Sequence, residues 1–275
     1  MLKTYKLFIG GAFPRSESGR VYAIKSSAGA HLANPSLASR KDLRDAVVAA
    51  RGAFAGWSSA TAYNRGQILY RMAEMLEGRH DQLVSEIMAL EGVVLKVAEL
   101  QVQESVDLLV WYAGWSDKIS TMAGSTNSVS GPFYNFSTPE AMGVVAAFAQ
   151  AKPSLLNFVG AIAPIITSGN TAIVIASEKF PLPAITFSEV MATSDLPAGV
   201  VNVLTGSSVE LAPWVASHMD IDAVDASGLT PKQLKEVQIA GAQNLKRIRT
   251  HSELKSPNRI LSYLETKTVW HPIGI

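Results

Sequence analysis

The sequence predicts an α/β protein in which a helical N-terminal layer packs against a parallel sheet. Three observations carry this reading. Residues 39–118 hold four apolar stripes at helical spacing, and from Gly143 onward short apolar runs alternate with helical segments. Hydrophobic residues make up 48% of the 275 and charged residues 17%. The usual charged share is roughly 25%, so much of this surface must be buried, in the chain's own core or against a partner. That composition excludes disorder and collagen-like repeats. Lys+Arg 24 against Asp+Glu 23 gives a formal charge of +1, which offers no field for nucleic acid or an acidic membrane face. Cysteine is absent. Disulfides, thiolate metal sites and cysteine nucleophiles are therefore excluded within these residues.

The elements follow in order. Leu7-Phe8-Ile9-Gly10-Gly11 reads as a short strand ending in a glycine turn, and its apolar stretch is too short for a signal peptide. Ser39 and Asp42 stand at capping-box spacing before an Ala/Val-rich helix running to about Trp57. Ile68, Leu69, Met72, Met75 and Leu76 form the second stripe, and Leu83, Val84, Ile87 and Leu90 the third. Val102, Val106, Leu109, Val110 and Trp115 form the fourth. All four are expected to pack the core. Thr121 to Pro139 alternates small polar residues around Val129, Phe133, Tyr134 and Phe136, as a hairpin of exposed strands would.

Strand and helix then alternate. Gly143–Ala149, Thr171–Ala176, Val200–Leu204 and Ile221–Val224 read as strands, with a fifth at Lys246–Thr250. Helices are expected over Pro153–Thr167, Leu182–Met191, Val209–Ser217 and Pro231–Ala242. Apolar strands joined by helices mean a parallel sheet covered on both faces. Pro153 to Ser177 carries no charge and is long enough to span a bilayer, but Pro164 and Ser168-Gly169-Asn170 divide it. A helix, a turn and a buried strand are expected there, in a cytoplasmic protein.

At this point several motifs converge. Leu196-Pro197-Ala198-Gly199-Val200-Val201-Asn202-Val203-Leu204-Thr205-Gly206 closely resembles the LPxGVxNxxxG run of the aldehyde dehydrogenase superfamily. Gly169-Asn170-Thr171 resembles its GNT turn, Phe8-Ile9-Gly10-Gly11 its opening strand, and Lys255-Ser256-Pro257-Asn258 its KSPN segment. The resemblance covers essentially the whole chain, with its motifs in the family's order. It implies an NAD(P)-binding domain with a Rossmann-like sheet over residues 1–120 and 142–258. It also implies a small bridging, oligomerising sheet from residues 121–141 and 259–275.

In the family a catalytic domain bearing the cysteine nucleophile follows the KSPN segment. Here Asn258 leads almost directly into Arg259 to Trp270, a stretch similar to the family's C-terminal strand. The chain therefore resembles an aldehyde dehydrogenase without its catalytic domain. The oxyanion-hole PWN falls at Gln150-Ala151-Lys152, and losing one such donor costs on the order of 3 kcal/mol. Lys152 reads better as a structural residue at a helix start. The general-base Glu falls at His251, expected as a partly exposed histidine with no nucleophile to activate. His31, His80, His218 and His271 lack ligand spacing, so no metal is expected.

Among the cofactor positions, the family's KPSE falls at Ile175-Ala176-Ser177-Glu178, keeping Glu178 and losing the lysine. The GSTxxG loop falls at Gly228-Leu229-Thr230-Pro231-Lys232-Gln233, keeping its first glycine. Thr230 and Gln233 stand at capping-box spacing with Pro231 at the first helical position, so the helix is expected to use donors a pyrophosphate would take. Ser177, Glu178 and Gly228 are thus vestigial cofactor positions, and NAD(P) is expected to bind weakly or not at all.

The resemblance implies no catalytic residue in this chain and a non-catalytic domain or subunit that scaffolds or regulates an active aldehyde dehydrogenase. It is similar to the degenerate second domain of family-sixteen aldehyde dehydrogenases. The expected partner is a second copy or a catalytic aldehyde dehydrogenase, bound through the strand Leu261 to Trp270. The alternative is an NAD(P)-binding module, and a third reading is new chemistry at Lys152 or His251.

Overall fold

A computed structural model describes residues 4–274. At the N-terminus β1 (Thr4–Tyr5), β2 (Ile24–Lys25) and β3 (His31–Pro35) make a small sheet in the order β1-β3-β2. The strand expected at Leu7–Gly11 reduces to two isolated antiparallel bridges, Phe8 to Val203 and Ile9 to Ala12. Gly10 and Gly11 take φ of 59° and 76°, and these successive left-handed residues fold the chain back so that Ile9 bridges Ala12.

Four long helices form the N-terminal layer: α1 (Arg40–Ser59), α2 (Ala62–Glu77), α3 (His80–Glu91) and α4 (Leu95–Ala113). The expected capping box is present on α1. Ser39 Oγ accepts from Asp42 N at 3.3 Å, and Asp42 Oδ2 accepts from Ser39 N at 2.8 Å. The short α5 (Ile119–Ala123) leads into the hairpin of β4 (Ser125–Asn127) and β5 (Phe133–Ala141).

The alternating half follows the predicted order: β6 (Val144–Phe148), α6 (Ser154–Thr167), β7 (Thr171–Ile175), α7 (Leu182–Met191), β8 (Val201–Leu204), α8 (Ser208–Ser217), β9 (Ala223–Asp225), α9 (Pro231–Gly241) and β10 (Arg247–Arg249). These strands form an all-parallel sheet in the order β10-β9-β6-β7-β8. Every residue of β6, β7, β8 and β9 is buried, which explains why they read as mainly apolar runs, with Thr171, Asn202 and Asp225 as buried polar exceptions. Val145, Ala147 and Val174 pack with α4 and α6, whereas Val144, Ala146 and Ile173 pack with α1 and α8. The uncharged stretch 153–177 resolves into the wholly buried α6, a left-handed turn at Gly169 and β7. Among the described residues no helix is long and apolar enough to cross a membrane.

The chain closes with α10 (Pro257–Leu261) and β11 (Leu264–Pro272). Strand β11 lies antiparallel on β5 of the same chain, from Leu264↔Ala141 to Pro272↔Phe133, giving a second three-stranded sheet in the order β11-β5-β4. Arg259, Ile260 and Tyr263 are buried, Leu261 and Ser262 are half-buried, and the strand itself begins at Leu264. Pro257 at the first helical position is what turns Ile260 and Leu261 into a helix.

Helix α1 reaches the sheet through a close approach at Gly199, where an added Cβ would lie 2.6 Å from the Ala49 carbonyl oxygen. Gly29 has the same φ of +85° but open space around it. Gly29→Ala should therefore show only the cost of a left-handed alanine, about 1–2 kcal/mol. Gly199→Ala should lose a further ~1–3 kcal/mol from overpacking. Urea denaturation of both variants checks this, and equal losses would contradict the packing described.

Candidate functional site

In a parallel sheet of this order the crevice opens where the strand order reverses, beyond the carboxyl ends of β6 and β9. Asp225 is the last residue of β9 and is 1% exposed. Its carboxylate is saturated. Oδ1 accepts from Ser227 N at 3.0 Å and from the Ser227 hydroxyl, while Oδ2 accepts from Arg259 Nη2 and Tyr263 OH, both at 3.0 Å. Two more bonds hold the same C-terminal segment. Asn170 Nδ2 donates to Tyr263 O at 2.8 Å, and Arg247 Nη1 donates to Leu264 O at 2.8 Å.

His251 follows β10 and is half-buried beside this cluster. Its backbone N–H donates to Ser227 Oγ at 2.9 Å, and its Nε2 lies 3.2 Å from Tyr263 OH. Because Tyr263 gives its proton to Asp225, the network assigns the imidazole proton to Nε2. Burial draws the His251 pKa below the usual histidine value; Asp225 opposes this, and Arg259 and Arg249 reinforce it. Burial, with Asp225 adding, pushes the Tyr263 phenol well up. The hydroxyls near His251 are already engaged, Ser262 donating to Arg259 O at 2.7 Å and Tyr263 to Asp225. A cavity of about 80 Å³ remains, lined by Gln150, Asn157, Asp225, Ser227, His251 and Arg259 among others. That is well below the roughly 300 Å³ at which ligand pockets begin.

The loop after β9 carries Gly228. Its N–H donates to Phe148 O at 2.9 Å, and a Cβ there would meet the Phe148 and Ala149 carbonyls at 2.5 Å. Glycine is needed here for the loop to lie against β6. The start of α9 is closed by its own side chains. Thr230 Oγ1 accepts from Gln233 N at 3.3 Å, Gln233 Oε1 accepts from Thr230 N at 3.0 Å, and Pro231 has no N–H to give. Gln233 Nε2 further donates to Ser208 Oγ at 3.0 Å, which pins the cap to α8.

Ser177 and Glu178 lie just past β7. Ser177 Oγ accepts from Phe180 N at 3.3 Å in a local turn. Glu178 is exposed and lines an open groove of about 540 Å³ with Tyr22, Lys25, Lys152 and Lys179. Lys152 Nζ donates to Glu91 O at 2.8 Å at the end of α3 and stands 4.6 Å over the Phe180 ring. It does not reach the His251 cavity. Neither Ser177 nor Gly228 lines the groove that Glu178 lines. His271 is exposed, while His31, His80 and His218 are half-buried. Among the described residues no three of His, Asp and Glu could hold a metal ion.

Sequence reasoning passed over Asp225, Arg259 and Tyr263. The available signal was an aspartate closing an apolar strand, a position where burial demands a cation.

A neutral histidine held in the fold has a definite pH signature. Below about pH 6.5 the unfolded chain takes up a proton that folded His251 refuses, so stability falls as pH falls until the lowered folded value is passed. His218 is lowered by burial in the same sense. Urea midpoints between pH 7.5 and 5 (about the histidine range) should drop less for His251→Gln than for the natural chain. Equal drops would contradict the burial assigned to His251.

The family model described as "Aldehyde dehydrogenase family" matches residues 13–270. Retinal dehydrogenase 2 of Mus musculus is 33% identical over 267 residues, covering 95% of this chain and 51% of the relative. An aldehyde dehydrogenase of Aspergillus niger is 31% identical over 274 residues, covering 98% and 54%. The NAD+ complex of an aldehyde dehydrogenase from Bacillus cereus superposes with a TM-score of 0.84 at 26% identity, covering 90% of this chain and 50% of that one. The chain spans about half the length of the curated relatives it matches.

Proposed function

This chain belongs to the aldehyde dehydrogenase family, and from that premise we propose that it is a non-catalytic member. In this reading it is a cytoplasmic domain or subunit that scaffolds or regulates an active aldehyde dehydrogenase through its bridging strands. The observation that carries the reading is the saturated Asp225–Arg259–Tyr263 cluster at the crevice. It leaves a cavity of about 80 Å³ beside His251, with the nearby hydroxyl protons already donated. The absence of cysteine from the 275 residues supports the same conclusion. Support for a role in assembly comes from the bridging sheet. Tyr134 and Trp270 are 47% and 58% exposed, and β11 pairs with β5 along one edge only among the described residues. A free edge of this kind takes up a strand from another chain.

Weak or absent NAD(P) binding is part of this reading. A dinucleotide pyrophosphate draws on free amides at a helix start, and α9 spends the Thr230 and Gln233 amides on its own cap while Pro231 supplies none. The residues present do not fit that group well. A second reading, an NAD(P)-binding module, is favoured by one observation: Glu178 is exposed at the end of β7 and lines an open groove.

Two measurements test the proposal. Calorimetry should give a dissociation constant for NAD(P) above about 1 mM, and the purified chain should produce no NAD(P)H from aldehydes. Low-micromolar binding weakened by Glu178→Ala would favour the second reading, and steady NAD(P)H production lost in His251→Ala would overturn both. For assembly, light scattering should find a dimer, or a complex with an active aldehyde dehydrogenase, burying roughly 800 Å² per partner. Removing residues 264–275 should release folded monomers, because Tyr263 and its core contacts are kept. An intact chain that stays monomeric alone and with the candidate enzyme sinks the scaffold reading.

A further inference from the structure

A second cavity, of about 380 Å³, lies where the helical layer meets the root of the bridging sheet. Its walls come from the end of α1, the start of α2, the turn at Ser116, α5, β5 and the first residue of β11. The guanidinium of Arg65 lines it with few partners. Arg65 Nη1 donates to Ala60 O at 2.5 Å, its Nε is buried without a partner, and it forms no ion pair among the described residues. Five serines, Ser58, Ser59, Ser116, Ser120 and Ser168, line the same space. Ser116 is 3% exposed and its Oγ has no partner. The carboxylate in the lining, Glu140, is paired with Lys267 at 3.0 Å.

The cavity thus holds one uncompensated cation, with hydroxyls set around it on separate walls. A half-buried charge without a counter-ion gives up part of its solvation uncompensated, and a guanidinium offers a fork of donors matched to oxyanions. Serine hydroxyls that now point back to helix carbonyls, as Ser58 and Ser59 do at 3.3 and 3.1 Å, can rotate to donate outward. Donors on several walls suit a tetrahedral acceptor better than a planar one. The volume falls within the ordinary range for small-ligand pockets.

We propose that this cavity binds a phosphate group, free or carried on a small metabolite, with Arg65 as its principal ligand and the surrounding serines as donors. The site is separate from the crevice at Asp225 and does not depend on the non-catalytic reading. Since β5 and β11 form part of its wall, an occupant would also bear on the root of the bridging sheet.

Calorimetry of the full chain with inorganic phosphate tests this, with sodium chloride at matched ionic strength as the control. Phosphate should bind and chloride should not. Arg65→Gln should weaken phosphate about tenfold or more, the scale for losing a charged hydrogen bond. Ser120→Glu changes only an exposed residue and adds a carboxylate to the lining that Arg65 shares, so it should block binding with the fold intact even if Arg65→Gln is poorly folded. A phosphomonoester such as phosphoethanolamine is titrated in parallel. Tighter binding of the ester assigns the group to a metabolite, and tighter binding of phosphate assigns it to the free ion. No measurable phosphate binding, or equal affinity in the natural chain and Ser120→Glu, overturns the proposal.

Discussion

A buried carboxylate is the constraint on which the C-terminal third depends. Asp225 ends a fully buried strand, where an ionised carboxyl without partners would cost several kcal/mol. Arg259, Tyr263 and Ser227 supply the missing hydrogen bonds, and two of the three come from the segment after the KSPN run. Holding Arg259 and Tyr263 at β9 fixes where the chain can emerge. It emerges at Leu264, where Arg247 holds the backbone carbonyl, and the register of β11 on β5 follows from that point. A core electrostatic requirement thereby sets the position of a surface sheet.

The same interactions govern the crevice. Polar groups at the crevice are turned toward one another: Asp225 toward Arg259 and Tyr263, Thr230 toward Gln233, and the Gly228 amide toward Phe148. Each contact stabilises the fold and removes a donor or acceptor from the site. The sheet, its order and its covering helices keep the architecture shared with the aldehyde dehydrogenase of Bacillus cereus. In this chain its own side chains occupy the loops at the carboxyl edge.

Local signals made most of the fold legible in the sequence. Capping boxes at Ser39/Asp42 and Thr230/Gln233 depend on residues three apart, and both formed as spaced. The apolar strands were readable because both their faces are buried. Leu7–Gly11 misled because its apolar residues are buried by the neighbouring β8 rather than by pairing as a full strand. Ile260 to Tyr263 looked like the start of a strand, yet Pro257 and the pull of Asp225 make it a helical turn. Lys152 precedes the Pro153 cap of α6, and its reach toward Glu91 depends on α3, far away in sequence. The Asp225 cluster was illegible for the same reason. Its partners lie 34 and 38 residues away, and no periodicity links them.

Asp225 anchors the C-terminal segment, and hydrogen exchange read by mass spectrometry tests that anchoring directly. In Asp225→Ala, amides from residues 257–272 should exchange much faster, while those of β6 and β7 keep their protection. Unchanged exchange in 257–272, or an equal rise across the whole sheet, would contradict it.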